Sequence, residues 1–168
     1  PTLQLAEKVK KTYVPILQLG NRVLSKEEWR YDFSFPRELG HPNPHLWLNI
    51  ELVMRYVKII EQKLIALDPV HQSSFAMNAA AYLTKLQKLD QAILNCVTTI
   101  PENNRKLVTY HDSFAYFAPR YGMTVIAAIQ PSDFSEPAPQ EVMSVIKQIK
   151  QAGVPAIFGS DVFPSKIM

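Results

Sequence analysis

Apolar residues recur every three or four positions through the first hundred residues, then give way to short β-prone runs separated by helical ones. Leu3, Leu5, Ala6 and Val9 predict the tail of an amphipathic helix ending near Lys11. Residues 13–19 read as a strand turning at Gly20-Asn21, and Pro15 assigns it to an edge. Residues 25–44 have no period and carry Pro36, Pro42 and Pro44, which predicts a long loop. Loops of that length inside compact domains are usually functional or mobile. A helix opening at His45-Leu46-Trp47 follows. Val53, Tyr56, Val57, Ile60, Leu64 and Leu67 share its face, and Asp68-Pro69 stops it.

The most regular stretch comes next. Phe75, Ala79, Tyr82, Leu86, Leu89, Ile93 and Val97 predict a helix over 73–98. At 1.5 Å per residue it spans roughly 39 Å, about the diameter of a small domain. Its apolar face should be packed throughout, with Lys85, Gln87, Lys88 and Gln91 towards solvent and no Pro or Gly to bend it. After Ile100-Pro101 the pattern alternates: strand 106–110, helix 113–121, strand 123–129, a loop with Pro131, Pro137 and Pro139, helix 139–152 capped by Gly153, and strand 154–158. Such a βαβαβ series predicts an α/β fold with a parallel sheet.

Composition narrows the class without naming it. With 47% hydrophobic and 20% charged residues the chain can build a globular core, and no apolar run is long enough to span a membrane. The net charge of +3 comes from scattered Lys and Arg, whereas nucleic-acid binding calls for a basic stripe. The single Cys96 excludes an internal disulfide and reads as a buried small hydrophobe on the long helix. The sequence starts at Pro1 without a Met and ends as a new element begins, so both ends read as cuts from a longer chain.

Candidate chemistry centres on two histidines. His111 closes the strand 106–110, which places it at the carboxyl edge of a parallel sheet, where α/β proteins usually bind ligands. His45 follows two prolines and immediately precedes a helix. Each has an ordinary reading, as a hydrogen-bonded structural residue and as a partly exposed histidine at a helix start. Together, on two rigid elements, they suit a borderline metal such as Zn²⁺, although such sites need three or four ligands. Asp112 is read as an N-cap, His41 as a solvated loop residue and His71 as a surface or capping residue. Trp47, Phe114, Tyr116 and Phe117 are read as core or cleft wall.

The local sequences are more specific than the spacing. Asn43-Pro44-His45-Leu46-Trp47-Leu48 resembles the D-P-H-x-W-L motif of the metal-binding receptors of bacterial zinc and manganese ABC importers. The segment from Val108 through His111 to Phe117, with Arg120-Tyr121-Gly122, resembles that family's second motif, a histidine or glutamate before a small-aromatic helix. Segments 136–141 and 155–160 are similar to further family segments, so the resemblance covers nearly the whole chain. It implies two α/β lobes joined by one long rigid helix, with the metal between them. Residues 1–70 would end an incomplete first lobe, 71–100 would hold the interlobe helix, and 101–168 would form most of the second lobe. It also implies His45 and His111 as two of four metal ligands, the other two, a histidine and an aspartate, lying outside these residues. The sequence departs from the family's pattern at Asn43, usually Asp; at Pro119, which should kink the helix after His111; and at Ser160-Asp161, where a glutamate is common.

The implied function is an extracytoplasmic receptor, periplasmic or lipid-anchored, that captures Zn²⁺ or Mn²⁺ and delivers it to an ABC permease. Two nitrogen donors favour Zn²⁺ over the harder Mn²⁺. A zinc-dependent hydrolase is the alternative, with an open metal position for water. No general base and no nucleophile–base pair stand beside the histidines in sequence, so no catalytic residue is assigned. An adhesive surface lipoprotein of the same fold is a third reading.

Overall fold

The computed structural model describes residues 2–130 and 137–159. Helix α1 (Thr2–Val9) and the one-turn α2 (Gly20–Val23) precede the irregular region, which holds only short 3-10 turns at Lys26–Glu28 and Arg37–Leu39. The long helices α3 (Ile50–Leu67) and α4 (Gln72–Thr98) pack on each other as a hairpin. Then come β1 (Lys106–His111), α5 (Phe117–Tyr121), β2 (Thr124–Gln130), α6 (Pro139–Ala152) and β3 (Ile157–Phe158). The sheet has the order β2-β1-β3, with both pairings parallel. The expected α/β architecture is therefore present, with β1 in the middle.

That central position explains the burial of β1, whose four inner residues are all buried and whose Val108 is wholly inaccessible. Val108, Tyr110, Ala127 and Ile129 form one core, covered by Val145 and Ile149 of α6. A second core joins Ile50, Leu86, Val97 and Tyr121, tying α3, α4 and α5 together. The parallel strands end together: His111 lies level with Gln130, so the sheet delivers its last β1 side chain to one edge.

Several expectations need correction. Residues 13–19 form no strand; Pro15 removes a ladder donor, and the described sheet offers them no neighbour. The helix expected from His45 starts at Ile50, because Asn49 caps it by accepting a 2.9 Å hydrogen bond from the Glu51 amide, and Leu46–Leu48 form a 3-10 turn instead. The helix expected over 113–121 begins only at Phe117. Pro119 then sits in its first turn, where an amide proton has no intrahelical acceptor, and no kink is required. Along α4, Tyr82 and Leu89 are 50% and 47% exposed, so its apolar face is not continuously covered by the shorter α3. Cys96 is exposed, not buried. The prolines at 131 and, at the other end, Ser160-Asp161 lie outside the described residues.

One buried charge fastens α4 to the sheet side. Asp90 is nearly buried and receives hydrogen bonds from Tyr121 Oη (2.8 Å) and from the Arg120 guanidinium, whose Nη1 also pairs with Glu51 at 3.4 Å. Removing the carboxylate leaves a buried hydroxyl without its acceptor. Asp90→Ala should therefore cost about 1–3 kcal/mol, and Tyr121→Phe less. Urea denaturation is the check: the midpoint should fall while the slope stays constant, and an unchanged midpoint would deny the network a role.

Candidate metal centre

The structure brings His45 and His111 together. Their Nε2 atoms are 3.1 Å apart, and the rings meet edge to face with centroids 4.9 Å apart and planes at 84°. His111 arrives from the end of β1, His45 from the turn before α3, and both are half-buried. Two Zn–N bonds of about 2.0–2.1 Å meeting at roughly 100° would span that gap. Phe35 and Trp47 flank the His45 ring at 6.0 and 5.2 Å, making Trp47 a wall of the site. Tyr116 is core, whereas Phe114 and Phe117 are half-buried and pack edge to face.

Asn43 decides which nitrogen His45 presents. Its Oδ1 accepts the His45 backbone amide at 2.9 Å, which fixes the orientation of the carboxamide. The same oxygen lies 2.7 Å from His45 Nδ1. An acceptor there holds the imidazole proton on Nδ1 and leaves the Nε2 lone pair directed at His111. The other end of the amide is equally engaged. Nδ2 donates to both oxygens of Asp32 at 3.0 and 3.3 Å and to the Asp112 carbonyl at 3.2 Å. Asn43 has no exposed surface, so these bonds replace all its hydration.

Asp112 does not cap the following helix. Its buried carboxylate turns back, and Oδ2 accepts the Ser34 amide at 2.8 Å, pinning the 32–35 turn against the sheet edge. Asp32 and Ser34 had no signal in the sequence beyond lying in a long irregular loop. His41 is exposed and His71 pairs with Asp68 at 2.7 Å on the surface; neither joins the site. Among the described residues no group of three or more His, Cys, Asp or Glu is placed to hold a metal.

Electrostatics keep the donor available. Burial, and then the neighbouring His111, push His45 down to about 4, with Asp112 opposing. His45 is therefore neutral at physiological pH, the form a metal requires. Asp32 is pushed up to about 7, first by burial and then by the Asp112 carboxylate, with the Asn43 hydrogen bond opposing. The two shifts act on stability in opposite directions. The unfolded state binds the His45 proton more readily, so that contribution grows as pH rises from about 4 to 6.5. The folded state binds the Asp32 proton more readily, so that contribution is lost as pH rises from 3.8 to about 7. Asp32→Asn, which keeps an acceptor for Asn43 and cannot ionise, should raise the melting temperature more at pH 8 than at pH 5. Thermal melts across that range check it; an equal change at both would contradict the assignment.

Comparison with known proteins identifies the family of the chain. The model of the family described as zinc-uptake complex component A, periplasmic, matches residues 2–168. The metal ABC transporter substrate-binding lipoprotein FimA of Streptococcus parasanguinis is 35% identical over 121 residues, which are 72% of this chain and 39% of FimA. The manganese-binding lipoprotein MntA of Halalkalibacterium halodurans is 34% identical over 69% of this chain and 39% of its own. The solved periplasmic zinc binding protein TroA from Treponema pallidum superposes with a TM-score of 0.78 at 27% identity, over 93% of this chain and 54% of TroA. This chain thus spans well under half the length of the curated relatives it matches. It belongs to the zinc-uptake complex component A family of periplasmic metal-binding proteins.

Proposed function

We propose that the chain is the metal-capturing part of an extracytoplasmic ABC-importer receptor, with His45 and His111 as two ligands of a transported divalent ion. The observation that carries this reading is the 3.1 Å approach of two Nε2 atoms, one of them on a ring whose Nδ1 faces the Asn43 oxygen at 2.7 Å. Two lone pairs at that distance repel unless a proton or a cation lies between them. In the metal-free chain His111 Nε2–H supplies the proton; a divalent ion replaces it, and His111 then carries its proton on Nδ1. Zn²⁺ is the favoured cargo because both donors are nitrogens, and Mn²⁺ is the alternative. The zinc and manganese proteins among the relatives support that pair of ions.

The organisation we infer follows the same logic. Residues 1–70 bring His45 from one lobe, α4 within 71–100 joins the lobes, and residues from 101 bring His111 from the other. The remaining ligands come from outside the described residues. Delivery to a membrane permease, with a lipid anchor or free in the periplasm, fits the lipoprotein relatives. A binding role rather than catalysis is supported by Asp112, the nearest carboxylate in sequence to His111, being committed to the Ser34 amide instead of the open side of the imidazoles.

Calorimetry on the 168-residue chain tests the reading. Zinc should bind weakly, because two ligands leave the ion largely hydrated. His45→Ala and His111→Ala should each abolish the heat, whereas His41→Ala and His71→Ala should leave it unchanged. Zinc binding that survives both ligand substitutions would refute the assignment.

A further inference from the structure

We propose that Asp32 is a positioning residue for the metal ligand His45, acting through the Asn43 carboxamide. The proposal deepens the metal-binding reading above and rests on it for its functional consequence. Its geometry is independent of any ion. His45 can present a bare Nε2 only while an acceptor faces Nδ1, and Asn43 Oδ1 is that acceptor at 2.7 Å. An amide is a two-ended group: if it rotates by half a turn, a donor faces Nδ1 and the imidazole proton moves to Nε2, where it blocks the metal. What holds the amide in the useful orientation is the His45 backbone amide on Oδ1 together with the set of acceptors around Nδ2.

Asp32 supplies two of those three acceptor contacts, at 3.0 and 3.3 Å, and the Asp112 carbonyl supplies the third at 3.2 Å. Asp32 itself is held in a tight turn by reciprocal backbone bonds with Phe35, whose ring meets the His45 imidazole edge to face. One short loop therefore sets both the proton and the ring plane of His45. The relay reads Asp32 carboxyl, Asn43 amide, His45 Nδ1, His45 Nε2. The first member lies 13 positions before the last, with no local motif connecting them, and the covering loop is the only source of it among the described residues.

The test reads the proton directly. In the metal-free 168-residue chain, with ¹⁵N-labelled histidine, long-range nitrogen–proton correlation spectra at pH 8 should show His45 in the Nδ1–H form. Asp32→Ala should convert it to a mixture of tautomers and weaken zinc binding by about tenfold, the low end for loss of an outer ligand contact. Asp32→Asn retains an acceptor and should keep the wild-type spectrum, which separates positioning from a general loss of folding.

A swap gives a second readout. Asn43→Asp puts an oxygen where Nδ2 was, against Asp32, and should weaken zinc binding. Adding Asp32→Asn restores a donor–acceptor pair and should recover most of that loss. An Asp32→Ala chain whose His45 stays fully in the Nδ1–H form, or a double variant no better than Asn43→Asp alone, would overturn the proposal. A tautomer change on Asp32→Ala, found alongside a wild-type chain that binds no zinc, would refute the metal reading and support the relay.

Discussion

A fully buried carboxamide joins the parts of this structure that make a site. Asn43 has no contact with solvent, so both ends of its amide must find partners inside the protein or cost about 1–3 kcal/mol each. It finds them on three separate segments: the 30–35 loop through Asp32, the residue after β1 through the Asp112 carbonyl, and the turn before α3 through His45. Satisfying one buried side chain therefore fixes the loop, the sheet edge and the α3 approach against one another. The two imidazoles meet because their backbones are anchored to that common amide. Their approach to 3.1 Å is a consequence of it.

Around this centre the fold divides its labour. The sheet core under β1 and the α3–α4–α5 core are separate clusters, and a third, of Val23, Leu46, Leu52 and Tyr116, packs the residue after His45 against the segment that follows His111. Asp90, Arg120 and Glu51 add polar links within the helical core, tying α4 to α5, the element just after His111, and to the first turn of α3. These polar contacts demand specific geometry where apolar contact alone would allow sliding.

What the sequence made legible follows from how local each determinant is. The periodic helices α4 and α6 and the strands β1 and β2 are set by patterns within a few residues and stand within about one residue of the expected bounds, whereas α3 starts five residues later than expected. The convergence of His45 and His111 was legible through local motifs. Asp32 was not, because its partner Asn43 is 11 positions away in a segment without any period. Asp112 looked like an N-cap because the sequence offers a helix after it; the structure uses its carboxylate for a tertiary bond to Ser34, and the helix waits until Phe117. The expected strand at residues 13–19 failed for a related reason, since a strand needs a neighbour with free backbone groups. Cys96 and Leu89 show the limit of reading burial from hydrophobicity: helical spacing specifies a face, and only tertiary packing determines how much of it is covered.

The central claim is that a metal ion is held by the Nε2 atoms of His45 and His111. X-ray absorption at the zinc edge of the zinc-loaded chain measures this directly. The account predicts a first shell with two imidazole nitrogens at about 2.0–2.1 Å, with the outer-ring scattering of histidine, and the loss of one of them in each of His45→Ala and His111→Ala. A shell of oxygens alone, without imidazole scattering and unchanged by either substitution, would contradict it.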